Sequence, residues 1–178
     1  MEKQDNYNSA ADRDIHLIRP SLNENDIEFQ KKDELDSASR KKRGLRTLHT
    51  LELMAVNIYR YQITGEPDEM NRHLIAAMIN EMTHLQDFQR KLFEYGWKPS
   101  RLRWAYWIVG FLFGTFSRAL GTAARLRTGI WVETKAVHHY NQLLEQIEWD
   151  EETRGIIEKN RDDESRHIRQ WKSLMESM

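Results

Sequence analysis

Two short stretches of the chain pair a glutamate with a histidine three residues later: Glu81-Met82-Thr83-His84 and Glu164-Ser165-Arg166-His167. On an α-helix, residues three apart share one face, so each carboxylate and its imidazole point in the same direction. Both groups are metal ligands, and the chain has no cysteine that could add a thiolate. A single Glu-x-x-His match arises by chance on surface helices, but its repetition favours a metal site.

Each pair is preceded by one glutamate on an otherwise apolar helical stripe. These glutamates are Glu52 and Glu133, with 28 residues between Glu52 and Glu81 and 30 between Glu133 and Glu164. The two halves are therefore interpreted as repeats of one helical hairpin, which brings four carboxylates into one core. Buried carboxylates repel one another and need cations to neutralise them. We predict two iron ions, with manganese as the reserve, bound by Glu52, Glu81, His84, Glu133, Glu164 and His167.

The elements that must position these residues are helices, because apolar residues recur three and four apart after Gly44. Breakers divide this part of the chain into five predicted helices, over residues 45–64, 68–95, 102–126, 129–149 and 151–175. Short loops join the first two helices and the last two, so each pair should form an antiparallel hairpin. We predict an all-α fold: a ferritin-like four-helix bundle with the third helix as an additional crossover.

The composition restricts the classes of partner. The formal net charge of -1 gives no field that would attract nucleic acid, so we expect no nucleic-acid binding. Residues 1–43 are mostly polar and are predicted to form a flexible N-terminal tail, while residues 44–178 form the bundle. Residues 1–14 lack the apolar run of a secretory signal and are too acidic for a mitochondrial transit peptide. We expect a bacterial cytoplasmic protein.

The second nitrogen of each metal-binding imidazole needs an orienting partner. The pseudo-two-fold symmetry of the two hairpins suggests that the residue before each Glu-x-x-His glutamate faces the opposite histidine. We therefore predict that Asp163 pairs with His84 and that Asn80 pairs with His167.

Four stretches carry a resemblance to a known family: Arg46 to Glu52 followed by Ala55, Ile58, Tyr59 and Gln62; Gly110-Phe111, Gly114 and Leu120-Gly121; Val132-Glu133 with His138 to Asn141; and Arg161 to Glu164 with His167. Over residues 46–171 the chain resembles the demethoxyubiquinone hydroxylase family, the di-iron monooxygenases of ubiquinone biosynthesis. In that family the six residues named above are the iron ligands. The resemblance implies dioxygen and a quinone as substrates, and it leaves the electron donor open.

Departures from the family pattern lie close to the first glutamate. Leu48 and Leu51 stand where the family usually has an acid and a glycine, so we expect a narrower pocket beside Glu52. His139 and Tyr140 follow Glu133 by one to two helical turns and are predicted to be catalytic residues that touch the pocket. For Tyr140, packing is an equally weighted alternative.

The predicted third helix contains 13 consecutive uncharged residues, from Trp104 to Phe116. This stretch is too short to span a bilayer, but its aromatic residues suit a membrane interface where a polyprenyl quinone is found. We predict a membrane or quinone entrance, on the cytoplasmic face of the inner membrane, formed by Trp104, Trp107, Phe111 and Phe113. The alternative is that these residues cover the bundle or are buried in a dimer.

Other functions are compatible with the same ligand set. A rubrerythrin-like peroxidase or another ferritin-like di-iron oxidase would share the six ligands without a quinone entrance. A non-catalytic iron-binding protein would share them as well. Association with itself or within a biosynthetic complex also stays open.

Overall fold

The computed structural model describes residues 24–30 and 35–178, and within them the fold is all-α. A 3-10 turn, Glu24–Asp26, precedes five α-helices. We number these α1 (Leu35–Gln62), α2 (Glu69–Glu94), α3 (Arg103–Ala119), α4 (Thr122–Gln146) and α5 (Glu151–Glu176). The described residues contain no strand, so the predicted fold class is confirmed.

The first helix begins ten residues before its predicted start, at Leu35 instead of residue 45. Residues 35–43, which were assigned to the polar tail, are therefore helical. The tail was assigned because residues 1–43 are mostly polar, but polar residues can extend a helix beyond the part of it that is buried. Gly44 lies inside α1, and a Cβ there would meet Ile147 Cδ1 and the Trp149 ring at 3.1 Å, so the residue is small because of packing. Of the remaining tail, residues 24–30 are described and include the 3-10 turn, whereas residues 1–23 and 31–34 lie outside the described part of the chain.

The break between the third and fourth helices also differs from the prediction, which placed it at Thr128-Gly129. The chain turns instead at Gly121, whose φ of 92° is a left-handed conformation that favours glycine. Gly129 lies within α4 and packs against the indole of Trp171, where a Cβ would be 3.0 Å from Nε1. The two glycines look alike in the sequence, and only tertiary contacts distinguish them.

Two antiparallel hairpins, α1–α2 and α4–α5, make the four-helix bundle. The second helix of each hairpin begins with an aspartate that accepts a hydrogen bond from a backbone N–H three residues later. Asp68 accepts from Asn71 N at 2.7 Å, and Asp150 accepts from Thr153 N at 2.9 Å. Such caps satisfy N–H groups that have no partner inside the helix. The repeated caps fix where α2 and α5 start. They therefore also fix the positions of Glu81 and Glu164 along the bundle axis.

The helix α3 runs parallel to α1 along its outer side and returns the chain to the end of the bundle where α4 starts. It can approach closely because Gly110 and Gly114 face α1. A Cβ at either glycine would lie 2.6 Å from a carbonyl oxygen, that of Met54 or of Ile58. At the far end of the contact, Gln62 Nε2 donates to Ser117 Oγ at 2.9 Å.

The apolar core consists of two clusters at the two ends of the bundle. One contains Leu45, Leu48, Phe88, Leu92 and Tyr140, and the other contains Met54, Ile58, Leu74, Val132 and Trp171 among others. The glutamates of the predicted metal site lie between these clusters along each of the four helices. Within the described residues, no helix combines the length and the apolar character needed to cross a bilayer.

The close contact between α3 and α1 predicts that Gly114→Ala destabilises the protein. The new Cβ would overlap the Ile58 carbonyl oxygen, and overpacking of this kind typically costs about 1–3 kcal/mol. Gly155→Ala is the matched control, because Gly155 is an exposed helical glycine with nothing within 4 Å of an added Cβ. The control should raise the free energy of unfolding by about 0.5–1 kcal/mol. Urea unfolding measures both, and an unchanged stability of Gly114→Ala would disprove the close approach.

Candidate metal centre

Each helix of the four-helix bundle contributes one of the predicted glutamates to a common interior site. Glu81, Glu133 and Glu164 are fully buried, and Glu52 is 1% exposed. His84 is fully buried and His167 is 6% exposed. The structure therefore brings all six predicted ligands together, from four helices, between the two apolar clusters.

The six residues form two overlapping groups, in each of which the ligand atoms lie within 4.8 Å of one another. The first group contains Glu52, Glu81, His84 and Glu164, and the second contains Glu81, Glu133, Glu164 and His167. Glu81 and Glu164 belong to both groups. The arrangement is that of two adjacent cation positions with two shared carboxylates and one separate carboxylate each. The sequence did not indicate which glutamates would be shared.

The shared carboxylates present one oxygen to each histidine. Oε1 of Glu164 is 2.9 Å and Oε2 of Glu81 is 3.6 Å from His84 Nδ1. The other oxygens, Glu81 Oε1 and Glu164 Oε2, are 3.1 and 3.3 Å from His167 Nδ1. Both imidazoles therefore turn Nδ1 towards the carboxylates, and each shared glutamate spans the two groups.

Several buried atoms of this cluster have no hydrogen-bond partner. They are both carboxylate oxygens of Glu81, both of Glu164, Oε2 of Glu133, and Nδ1 of His84 and His167. Buried polar atoms without partners are rare because each costs the free energy of its lost hydration. Atoms of this kind, directed at two common points, fit two metal ions with oxygen and nitrogen ligands.

The pKa values of these residues reflect the excess of carboxylates over imidazoles in the cluster. Burial, together with the neighbouring carboxylates, raises the pKa of Glu52 and Glu133 well above the usual range. Burial opposes ionisation of Glu81 as well, but the close imidazoles of His167 and His84 outweigh it and lower the Glu81 pKa. Burial disfavours the charged imidazoles, yet the facing carboxylates raise the His84 pKa strongly and the His167 pKa to about 12. Protons are therefore retained in the cluster when no other cation balances it.

Of the two predicted partners of the imidazoles, Asp163 lies beside the expected histidine and Asn80 does not. Asp163 Oδ2 lies 3.3 Å from Nε2 of His84. Asn80 does not pair with His167, and that prediction is wrong: its Nδ2 lies 3.0 Å from the same Nε2 of His84. The reason is local, since Asn80 precedes His84 by one helical turn on α2 and reaches it directly. The exact two-fold symmetry assumed from the sequence does not hold at this position.

Two tyrosines hold the two unshared glutamates. Tyr140 on α4 donates a hydrogen bond to Glu52 Oε1 on α1 at 2.5 Å, and Tyr59 on α1 donates to Glu133 on α4. Each tyrosine lies seven residues after the unshared glutamate of its own helix: Tyr59 after Glu52 on α1, and Tyr140 after Glu133 on α4. Each donates to the glutamate of the other helix. Sequence reasoning singled out Tyr140 but assigned Tyr59 only to the apolar seam. The repeated seven-residue spacing was the signal that could have identified the pair.

An apolar pocket of about 220 Å³ reaches the metal centre from the side of α1 and α4. Its wall includes Glu52 and Glu133 at the bottom and His139, Leu51 and Trp131 further out. The sequence indicated His139 and the bulk of Leu51, but it did not indicate Trp131. His139 lines this pocket and is in neither ligand group. Its catalytic role, like that of Tyr140, stays a prediction.

The aromatic residues of α3 are exposed, and they do not take part in the metal centre. Trp104 is 62% exposed, and Trp107, Phe111 and Phe113 are between 36% and 42% exposed. Phe113 stacks on Trp131, with ring centroids 5.4 Å apart and planes inclined by 7°. Since Trp131 also lines the pocket, the exposed aromatic surface of α3 continues to the pocket mouth.

Comparison with known proteins gives one consistent family. Residues 39–173 match the sequence model of the family described as "Ubiquinone biosynthesis protein COQ7". The chain is 30% identical over 125 residues to a 3-demethoxyubiquinol 3-hydroxylase of Polaromonas sp., covering 69% of this chain and 60% of that relative. It is also 30% identical over 131 residues to a protein of Dictyostelium discoideum named NADPH-dependent 3-demethoxyubiquinone 3-hydroxylase, mitochondrial, covering 71% of this chain and 60% of that relative.

The Bos taurus protein of the same name is 28% identical over 135 residues, covering 70% of this chain and 60% of its own length. The chain thus spans about 60% of the length of these relatives. The matched residues include all six members of the metal cluster and both tyrosines that hold it. With a family match over more than two thirds of its length, this chain belongs to the ubiquinone biosynthesis protein COQ7 family.

Proposed function

We propose that this protein is a di-iron monooxygenase that hydroxylates the ring of a quinone with dioxygen. The observation that carries the proposal is the contact between an apolar pocket and a two-cation site. Glu52 and Glu133, the unshared carboxylates of the two groups, also form the bottom of the pocket. A flat apolar ring in this pocket would lie directly beside both metal positions. The names of the relatives, all hydroxylases of a demethoxyubiquinone or its quinol, support the same substrate class.

Iron is the proposed metal, with manganese as the reserve. Six ligands made of carboxylates and imidazoles without sulfur suit these metals, and a glutamate set of this kind in a bundle core is the di-iron carboxylate pattern. Four ionised carboxylates carry a charge of -4, which two divalent cations neutralise. Bound iron would supply the reduction of dioxygen and the transfer of one oxygen atom, which side chains alone do not perform.

The contribution of the protein's own residues is to hold and enclose the reacting groups. Tyr59 and Tyr140 each donate a hydrogen bond to Oε1 of Glu133 and of Glu52, which leaves Oε2 of each glutamate available to a metal ion. Asp163 orients His84 through Nε2, which keeps Nδ1 on the metal side. The apolar pocket wall excludes water from the substrate ring. We propose that His139, which lines the pocket, exchanges a proton with a ring oxygen.

A quinone with a polyprenyl chain resides in a membrane, and α3 offers a surface for reaching it. The exposed aromatic residues of α3 and the stacked Phe113–Trp131 pair lead from this surface to the pocket. We infer that α3 lies in the membrane interface and that the substrate enters past Trp131. The protein would then act as a peripheral protein on the cytoplasmic face of a bacterial inner membrane.

The shared carboxylates predict the metal stoichiometry of variants. Wild-type protein should bind about two Fe²⁺ per chain in an anaerobic titration, because each ligand group holds one divalent ion. Glu81→Ala should lose both ions, since Glu81 belongs to both groups, whereas Glu52→Ala should keep one. Glu145→Ala, an exposed glutamate of α4, is the control and should bind like wild type. Equal stoichiometry in Glu81→Ala and Glu145→Ala would contradict the assignment.

Metal binding should also stabilise the fold. Removing iron with a chelator should lower the melting temperature, because a ligand at 100-fold its Kd contributes about 2.7 kcal/mol to the native state. The drop should vanish in Glu81→Ala, which has no ion to lose. Calorimetry of chelated and iron-loaded samples gives the comparison.

The catalytic proposal predicts oxygen transfer to a quinone ring. Iron-loaded protein with a chemical reductant, a short-chain demethoxyquinone analogue and ¹⁸O₂ should give a product heavier by one labelled oxygen. Glu164→Ala should reduce turnover by at least about 1000-fold, since it removes a ligand of both ions. Glu145→Ala should retain it. Dioxygen consumption that yields only hydrogen peroxide, or water formed without labelled product, would indicate an oxidase or peroxidase instead.

The interfacial role of α3 predicts binding to neutral lipid. Wild-type protein should float with phosphatidylcholine vesicles, and Trp104→Gln combined with Phe116→Gln should weaken the partition by at least about tenfold, since a buried aromatic side chain contributes roughly 1.5–3 kcal/mol. Both residues are more than 60% exposed, so the fold should not change. Phe93→Gln, an exposed phenylalanine of α2, is the control. Wild-type protein that stays at the bottom of the gradient would exclude the interfacial position.

A further inference from the structure

A second cleft, separate from the apolar pocket, lies beside the N-terminal half of α1 where α3 begins. Its volume is about 390 Å³. Its polar wall includes three cationic side chains, those of Lys42, Arg43 and Arg46, and the aliphatic hydroxyl groups of Ser39, Thr47, Thr50 and Ser100. The wall contains no acidic residue, and the sequence has none between residues 37 and 51. The cleft therefore has a positive potential that its own side chains do not cancel.

The cations of the cleft are available to a ligand. Among the residues that the structure describes, neither Lys42 nor Arg43 forms an ion pair. Arg46 donates from Nε to the Lys98 carbonyl oxygen at 2.9 Å, which fixes the guanidinium and leaves its two terminal nitrogens free. A guanidinium fixed in this way presents parallel N–H donors, the geometry that matches a phosphate oxygen pair.

The start of α3 adds to this potential. The helix begins at the cleft edge without a side-chain cap and without an acid in its first turn. Its N-terminal backbone dipoles therefore act in the same direction as the three cations. Hydroxyl groups on α1 and on the loop before α3 can donate further hydrogen bonds to an oxyanion.

The cleft adjoins a second groove, which in turn adjoins the apolar pocket. Arg43 and Thr47 also line a neighbouring groove of about 460 Å³, whose wall includes His139. His139 in turn lines the apolar pocket at the metal centre. On its other side, the cleft ends at Leu102 and Tyr106, beside the exposed aromatic surface of α3. An anionic group bound by the cations would thus lie between the groove that contains His139 and the exposed aromatic surface of α3.

We propose that Lys42, Arg43 and Arg46 form a binding site for the phosphate or diphosphate group of a ligand. Three cations and several hydroxyl donors around one enclosed space match the charge and the multiple acceptor oxygens of such a group. Two sources share this chemistry. One is a soluble dinucleotide, which could extend along the groove towards His139, and the other is an anionic phospholipid headgroup beside α3.

The test uses full-length, iron-loaded protein and three probes: inorganic pyrophosphate, NADPH, and vesicles of phosphatidylcholine with and without phosphatidylglycerol. The variant is Lys42→Gln combined with Arg43→Gln, which removes two exposed or half-buried cations without touching the Arg46 hydrogen bond. The control is Arg169→Gln combined with Lys172→Gln, which removes the same charge from the exposed side of α5. Titration calorimetry measures the soluble probes, and the difference in flotation between the two vesicle types measures the lipid.

Wild-type protein should bind pyrophosphate saturably, and the cleft variant should weaken that binding at least about tenfold while the control does not, because charge-assisted hydrogen bonds are lost only in the cleft. Loss of NADPH binding in the cleft variant supports a dinucleotide as the source. Loss of only the phosphatidylglycerol-dependent flotation supports a lipid headgroup. The proposal is overturned if no probe binds saturably, or if the control variant loses as much binding as the cleft variant.

Discussion

Mutual repulsion of four buried carboxylates is the constraint around which this molecule is organised. Within the part of the chain that the structure describes, the ion pairs of Glu52, Glu81, Glu133 and Glu164 are formed only with His84 and His167, so these histidines and added cations must balance them. The displaced pKa values in the cluster are the direct expression of this constraint. A charge imbalance of this size at the centre of a small core would be unfavourable for folding alone, because isolated buried charges destabilise the native state. Its presence therefore indicates a site built to bind cations.

The surrounding fold is arranged so that the carboxylates cannot relax away from one another. Apolar clusters lie on both sides of the site along every helix, and a helix with packed residues above and below cannot rotate one glutamate towards water. The tyrosine hydroxyls of Tyr59 and Tyr140 link α1 to α4 directly through the unshared glutamates. The same elements that raise the free energy of the metal-free cluster thus pre-organise it for cation binding.

Much of this arrangement could be predicted from the sequence because it follows from helical periodicity. The six clustered residues were identifiable, since a lone acid on an apolar stripe is visible without a structure, and the helical structure follows from the same spacing. What failed depended on tertiary contacts. Gly129 was read as a breaker although it is small to admit Trp171, whereas Gly121 has the left-handed backbone conformation that favours glycine.

The wrong prediction for Asn80 and the prediction of the six clustered residues both came from the internal repeat of the sequence. The internal repeat of the sequence was taken as exact symmetry, but the two hairpins have diverged where packing allowed it. His84 is fully buried and has both Asp163 and Asn80 at its Nε2, whereas His167 is slightly exposed, and no described side chain is hydrogen-bonded to its Nε2. The sharing of Glu81 and Glu164 was likewise hidden, because spacing places a side chain on a face but does not give the direction of its two oxygens.

This divergence makes the two ligand groups of the cluster unequal. The imidazole of His84 is the more constrained, since Asp163 on α5 lies at hydrogen-bond distance from its Nε2, whereas both unshared glutamates have a tyrosine partner. The position near His167 has a less constrained imidazole, and its unshared glutamate, Glu133, lies two residues from Trp131 at the pocket mouth. A ligand that is held less firmly can change its coordination at a smaller cost in free energy. The asymmetry therefore lies in the two imidazoles, while the unshared glutamates of both groups line the apolar pocket.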